Sequence, residues 1–209
     1  MATSHWQMVV SRVAGRTTLT MRGPETFATP AFCPPGAEHF GIYFKIGTVM
    51  PHLPTVRLRD GMLNFPEAGS YSFWLYGAAW QYPSYENAET FVDWLVRREL
   101  LLREPVVESA LRPGQQELSE RSVQRRFLRA TGLTRGALSQ IERARQATLL
   151  LQRGVPILDT VAIAGYADQP HLTRSLKRYI GKTPAQLNPS REIEQLSFLS
   201  RLNYPPDAS

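Results

Sequence analysis

The residues of this chain best suited to a chemical task are polar side chains within residues 165–187. Six of them recur on the polar side of a helical pattern: Gln169, His171, Thr173, Arg174, Lys177 and Arg178. Gln and Arg side chains can bond the edges of base pairs, whereas Arg and Lys neutralise phosphates. No carboxylate follows Asp168 within residues 165–187. This composition is typical of a helix that binds duplex DNA.

The residues around this polar set predict two short helices joined by a tight turn. Asp168 is a favourable N-cap, and Gly181 is a typical residue at which a helix ends. Three residues between them have the spacing of one buried helix face: Leu172, Leu176 and Tyr179. A preceding short helix opens at Pro156 and ends at Gly165. Helix, tight glycine turn and helix form the outline of a DNA-binding helix-turn-helix.

A second copy of the pattern lies 49 residues upstream. Six residues fall on equivalent residues of the first copy when the sequence is shifted: Val123, Arg125, Phe127, Arg129, Gly132 and Thr134. The chain is therefore predicted to carry two reading helices, at about residues 119–131 and 168–180.

Residues 134–153 connect the two copies and predict one long helix. They contain no proline and a single glycine, Gly136, near the start. Five residues recur with the spacing of a helix face: Ala137, Ile141, Ala144, Thr148 and Leu151. A helix of that length spans about 30 Å at ~1.5 Å per residue, close to the ~34 Å between successive major-groove faces on one side of B-DNA.

With these motifs, residues 88–189 resemble the double helix-turn-helix domain of AraC-type bacterial transcription regulators. The residues that carry the resemblance are Leu118, Ser119, Glu120, Arg121, Phe127, Gly132, Arg143, Ala147, Leu150, Leu151, Gly165, Tyr166, Gly181, Thr183 and Pro184.

The resemblance implies a sequence-specific, double-stranded-DNA-binding transcription regulator. It implies that one groove is faced by Arg121, Gln124 and Arg125, and the next by Gln169, His171, Thr173 and Arg174. Further DNA contacts are expected from Arg129, Lys177 and Arg178. His171 has a second interpretation, as a support for the start of its helix. Candidate partners beyond DNA are RNA polymerase and an unidentified small-molecule effector, and the chain is expected to act as a monomer or a homodimer.

The predicted fold class is α+β, with a small N-terminal β-sheet or half-barrel followed by an all-α double helix-turn-helix domain. Alternating patterns predict a hairpin from residues 6–10 and 17–21, a strand at 39–47, and short strands at 62–65 and 71–75. Residues 77–83 are expected to lead out of this part.

The predicted domains are 1–83, a β-rich sensing or dimerisation domain, 84–189, the DNA-binding domain, and 190–209, a C-terminal helix and tail. Phe91, Leu95 and Leu102, with Val92 beside them, predict an amphipathic helix that is assigned by position to the DNA-binding half. The net charge of +6 divides into +1 for residues 1–86 and +5 for residues 87–209, so the basic excess accompanies the helix-turn-helix copies.

Residue patterns for other chemistry are missing from the sequence. There is neither a Gly-x-Ser-x-Gly motif nor a glycine-rich phosphate loop, so no enzyme is predicted. His39 and His52 lack the spacing of a metal site, and neither a metal nor a cofactor is expected. Cys33 is the sole cysteine, and no apolar run approaches the ~18 residues of a membrane span. These features predict a cytoplasmic protein without a membrane segment.

The sequence leaves open one alternative to a transcription regulator. The β part could be a ligand- or partner-binding module, with a degenerate helical half that does not read DNA specifically. Its basis is the turn of the first copy, which Pro113 and Gly114 lengthen, and Val161, which stands where the AraC-type family often has alanine. Aromatic residues of the β part could line a pocket, although core positions are the more common use of such residues: Trp6, Tyr43, Trp74, Tyr76 and Trp80.

Overall fold

The computed structural model describes residues 1–30, 33–69, 71–111 and 119–187, in which antiparallel strands are followed by helices. The strands are β1 (Gln7–Val13), β2 (Arg16–Arg22), β3 (Glu38–Tyr43), β4 (Thr48–Val49), β5 (Met62–Asn64), β6 (Glu67–Gly69), β7 (Ser72–Leu75), β8 (Ala78–Gln81) and β9 (Leu102–Arg103). The helices are α1 (Ala88–Arg97), α2 (Pro105–Leu111), α3 (Glu120–Thr131), α4 (Arg135–Gln152), α5 (Ile157–Ile163), α6 (Gln169–Tyr179) and α7 (Pro184–Leu187). The predicted α+β class is confirmed.

The strands of the β part form a four-stranded sheet, a three-stranded sheet and a two-stranded ribbon. Their orders are β3-β1-β2-β5, β6-β7-β8 and β4-β9. The predicted N-terminal hairpin is present, with Gln7 paired to Arg22 and Val13 to Arg16. Ala14 and Gly15 both have positive φ, which is the geometry of a tight two-residue hairpin turn.

Two details of the β part differ from the sequence prediction. The strand predicted at residues 39–47 ends at Tyr43, because the backbone turns where the Thr48 amide donates to the Lys45 carbonyl (2.9 Å). Residues 77–83 do not simply lead out, since they contain β8, which pairs with β7. A two-residue turn, with positive φ at Tyr76 and Gly77, connects β7 to β8. The Tyr-Gly pair is a weak sequence signal for a hairpin turn, so this hairpin was not predicted.

Helix α1 packs into the core of the β part. Phe91 and Leu95 are buried in one cluster with Met8, Leu19 and Phe73, and the Phe91 ring meets that of Trp80 edge-on at 5.8 Å. The helix was predicted to include Leu102, but it ends at Arg97, and Leu102 belongs to β9. The buried side of α1 packs on the β part, whereas its assignment to the DNA-binding domain of residues 84–189 stays a prediction. Its amphipathic pattern revealed which side is buried, but not the surface that covers that side.

The aromatic residues considered as pocket residues divide between core and surface. Trp6 is 3% exposed and stacks on Phe44 at 3.9 Å between ring centroids. Tyr43, Trp74 and Tyr76 are exposed.

The chain divides into two compact units, Met1–Glu142 and Arg143–Ser209. The first unit holds the β part together with α1, α2 and α3. The second has a core of its own, which includes Ala147, Leu172 and Leu176. This division does not coincide with the domain boundary predicted after residue 83, which was drawn by function and stays a prediction. The helix predicted within residues 190–209 lies outside the described residues.

Candidate nucleic-acid interface

Helix α3 separates an apolar side from a polar side. Val123, Phe127 and Ala130 are buried on the first. The residues predicted to contact DNA are all exposed on this helix: Arg121, Gln124, Arg125 and Arg129. Among the described residues, none of the three arginines has a hydrogen-bonding or ion-pairing partner.

Other charged side chains of α3 form ion pairs or hydrogen bonds. Arg126 pairs with Glu104 at 2.8 Å. The Glu120 carboxylate lies 3.4 Å from Arg135 and accepts from the Gln124 amide at 3.3 Å. The only acidic group on α3 is thus partly neutralised, and Gln124 already has an exposed hydrogen bond that water or a ligand can replace.

The end of α3 is fixed by Gly132, which has a left-handed backbone (φ +75°). Its amide donates to the Leu128 carbonyl at 2.8 Å. A Cβ at this position would lie 2.9 Å from Pro24 Cγ and 3.1 Å from the Thr55 carbonyl oxygen. Glycine is therefore required both for the turn and for the close approach of α3 to the β part.

Helix α6 repeats the two-sided arrangement. Leu172, Ser175 and Leu176 are buried. Four of the six residues predicted to contact DNA are exposed, and two are partly exposed: Gln169, Arg174, Lys177 and Arg178, then His171 and Thr173. No acidic side chain lies on α6 between Gln169 and Tyr179, and the cations Arg174, Lys177 and Arg178 give the exposed side a positive field.

The start of α6 is held by the predicted N-cap. The Asp168 carboxylate accepts from the His171 amide at 2.6 Å, and Pro170 occupies the first turn, where the lack of an N–H has little consequence. The His171 ring meets the Tyr166 ring edge-on at 5.1 Å. The ring contact with Tyr166, just before the helix, is consistent with the second interpretation of His171, a support for the start of the helix. Its contact with DNA stays a prediction.

A network from α4 holds the turn that precedes α6. Arg143 Nη1 donates to the Gly165 carbonyl at 3.1 Å, and its guanidinium lies 5.1 Å from the centre of the Tyr166 ring. The Tyr166 hydroxyl is 2.9 Å from the Ser175 hydroxyl inside the core. Burial raises the pKa of the Tyr166 hydroxyl, so this group stays protonated.

Sequence reasoning assigned no function to Ser175 and gave Arg143 and Tyr166 none beyond their part in the resemblance. Ser175 lies on the side of α6 that faces the core. A hydroxyl on that side indicates a buried hydrogen bond, and this was the signal that the sequence offered.

The two histidines considered as metal ligands have other neighbours. His39 Nδ1 is 2.9 Å from the Ser11 hydroxyl, and its Nε2 is 3.5 Å from Cys33 Sγ. His52 packs edge-on against Tyr76. In the part of the chain that the structure describes, no three His, Cys, Asp or Glu side chains gather as a metal site would need. Within the same ranges, every helix is too short or too polar to cross a bilayer.

The region that contains α3 to α7 was compared with known protein families. Residues 115–189, somewhat over a third of the chain, match the family model of a helix-turn-helix domain, which is of the AraC type. The match confirms the resemblance and supports a DNA-binding transcription regulator of this type, since the domain is regulatory and not enzymatic. No curated protein and no solved structure shows significant similarity to the chain.

Proposed function

We propose, on the premise that residues 115–189 are an AraC-type helix-turn-helix domain, that the chain is a sequence-specific transcription regulator. In this proposal α3 and α6 are both recognition helices, and they read successive major-groove faces of one duplex. The base-reading groups are Arg121, Gln124, Arg125, Gln169, His171, Thr173 and Arg174. The phosphate-binding groups are Arg129, Lys177 and Arg178. A cytoplasmic location accompanies this function.

The main support for the proposal is that α3 and α6 share the same arrangement of buried apolar and exposed cationic residues. Each helix buries two large apolar side chains four residues apart, and each is followed within two residues by a glycine with positive φ. Each carries exposed arginines at equivalent positions, Arg125 and Arg129 on α3 and Arg174 and Arg178 on α6. Helix α4, which joins the two copies, has 18 residues, and so is about 27 Å long.

Selection of bound DNA from a random duplex pool tests sequence specificity directly. We expect enrichment of one site with two conserved segments about one helical turn apart, and footprinting should protect both segments on one side of the duplex. A pool that returns no preferred sequence would contradict the proposal.

Two variants distinguish the contributions of α3 and α6 to sequence preference in the same experiment. Arg125→Ala should relax the preference within one segment only, and Arg174→Ala within the other. Arg16→Ala, which removes an exposed charge at the start of β2, is the matched control and should leave both segments unchanged. Loss of preference in the same segment for both helix variants would show that a single helix reads the DNA.

The remaining alternative is the binding module whose helical half no longer reads DNA. It predicts weak DNA affinity that salt abolishes and that does not depend on sequence. Titrations at two or more salt concentrations against the selected site and a scrambled site distinguish the two functions.

A further inference from the structure

Helices α3 and α6 carry different side chains at equivalent positions of their polar sides. When the two copies are superposed by the shift of 49 residues, three exposed groups of α3 have these counterparts on α6: Pro170 for Arg121, Thr173 for Gln124 and Arg174 for Arg125. Pro170 lies in the first turn of α6, and its side chain has no polar atom. Helix α6 therefore has one guanidinium group where α3 has two.

Arg121 and Arg125 are neighbours on the exposed side of α3, because they are four residues apart. A rise of ~1.5 Å per residue places them ~6 Å apart along the helix axis, which is close to the ~6.8 Å of two base-pair steps in B-DNA. An arginine side chain bonds O6 and N7 of guanine with two hydrogen bonds. In a helix that lies in the major groove, the pair therefore matches two guanines with one base pair between them.

Gln124 adds a different kind of base contact to α3. Its amide donates to the Glu120 carboxylate at 3.3 Å, and that carboxylate also lies 3.4 Å from Arg135. A glutamine amide has two N–H donors and one oxygen acceptor, so the bond to Glu120 leaves one donor and the acceptor free. These are the two groups that bond N7 and N6 of adenine. The arrangement favours an adenine beside the two guanines.

Helix α6 offers fewer groups that select guanine. Arg174 is exposed and matches one guanine, whereas the Thr173 hydroxyl can both donate and accept and so discriminates little between bases. Gln169 is exposed at the start of the helix, where its amide matches adenine. Arg129 and Arg178 occupy equivalent positions near the helix ends, so the phosphate-binding groups do not produce the difference between α3 and α6.

We propose that the DNA site of this chain is asymmetric in base composition. The segment read by α3 contains two guanines separated by one base pair, and the segment read by α6 contains a single guanine, which Arg174 contacts. Such a site has no two-fold symmetry, so one chain binds it in a single orientation. The asymmetry rests on the proposed function, since it requires that both helices read bases.

Titration of the full chain with two synthetic duplexes tests the asymmetry once a site has been selected. One duplex carries the selected site, and in the other the α6 segment replaces the α3 segment at the same spacing. We expect the second duplex to bind about ten-fold more weakly or worse, because Arg121 then meets no guanine. Equal affinity for the two duplexes would overturn the inference.

Selection with Arg121→Gln tests the two guanines of the α3 segment separately. The preference for guanine over the other bases should fall about ten-fold or more at one base pair and persist at the base pair two steps away. Arg126→Gln is the matched control on the same helix, since Arg126 pairs with Glu104 at 2.8 Å, and it should leave both preferences unchanged. Loss of neither guanine, or of both, in the Arg121 variant would contradict the assignment.

Pro170→Arg provides a gain of preference in the other helix. The Asp168 N-cap is retained in this variant, and circular dichroism verifies that the chain is folded. The selected α6 segment should acquire a second guanine, two base pairs from the guanine of Arg174. A folded variant that selects an unchanged α6 segment would refute the role given to Pro170. A wild-type site with equal guanine content in both segments would overturn the asymmetry and leave the proposed function intact, whereas the absence of any selected site would overturn both.

Discussion

Arg174 and Arg178 are neighbours on the exposed side of α6, but their surroundings differ. Arg174 occupies the centre of the polar side, opposite the buried Leu172 and Leu176. Arg178 lies near the end of the helix, with its guanidinium 5.4 Å from the centre of the Tyr179 ring. A group at the centre of a recognition helix is placed to reach base edges, whereas one at the margin is placed to reach the phosphates.

Substitution of these two arginines should therefore have different consequences. Arg174→Ala should weaken binding to the selected site by about 1–3 kcal/mol and relax the preference at one base pair. Arg178→Ala should weaken binding to all sequences alike and reduce the slope of log affinity against log salt by about 1. Equilibrium titrations of both variants on specific and scrambled duplexes, at several salt concentrations, measure both effects. Identical behaviour of the two variants would contradict this division.

In the second unit, the hydroxyls of Tyr166 and Ser175 form a buried hydrogen-bonded pair. Both residues are buried, at 6% and 7% exposure. Tyr166→Phe should lower the free energy of unfolding by about 1–3 kcal/mol, because it leaves the Ser175 hydroxyl buried without its partner. Ser175→Ala combined with Tyr166→Phe should restore part of this loss. Urea denaturation of the two single variants and the double variant forms the required cycle, and strictly additive losses would show that the pair has no energetic coupling.

At the scale of whole elements, the end of α3 and the start of α4 differ in what they require of glycine. Gly132 has positive φ and lies against Pro24 and Thr55, whereas a Cβ added to Gly136, in the first turn of α4, would meet nothing within 4 Å. The first glycine is structurally obligatory and the second is not.

Alanine substitutions at these two positions should have opposite signs. Gly132→Ala should destabilise the chain by more than about 1 kcal/mol, because a left-handed backbone and a close contact both oppose a side chain. Gly136→Ala should stabilise it by up to about 1 kcal/mol, since alanine favours the helix. Thermal unfolding of both variants measures the difference. A neutral Gly132→Ala variant would show that α3 can separate from the β part at little cost.

Helix α3 belongs energetically to the β part and not only to the helix-turn-helix repeat. It packs against the 3₁₀ turn Thr55–Leu58 and against β4, and Arg126 is tied to Glu104. Helix α6, in contrast, buries Leu172 and Leu176 in the core of the second unit. The two copies of one sequence pattern are therefore stabilised by different surroundings.

At the scale of the whole molecule, this difference predicts the result of a truncation. A fragment of residues 84–209 retains both helix-turn-helix copies, but it lacks the 3₁₀ turn and the strands that cover α1 and α3. We expect α6 to keep its amide protection in this fragment and α3 to lose most of it, because Phe91, Leu95 and Phe127 would be exposed. Hydrogen exchange on the fragment and the full chain compares the two helices directly. Equal protection of α3 in both would support the predicted boundary after residue 83.

The sequence by itself determined the features that are encoded locally. The hairpin around Ala14 and Gly15, the N-cap Asp168, the helix ends at Gly132 and Gly181 and the cationic sides of α3 and α6 all follow from spacing and turn chemistry. These features depend on residues close together in the chain, so periodicity is sufficient to predict them. The family resemblance rested on the same local pattern.

Only the tertiary structure decided which surfaces meet. The burial of Phe91 and Leu95 in the β core, the packing of α3 on the 3₁₀ turn and the Arg143–Tyr166–Ser175 network all join residues distant in sequence. The periodicity of a sequence predicts which side of a helix is buried. It does not predict which other element packs against that side. The choice of partner depends on shape and volume across the whole core, and these exist only when the chain is folded.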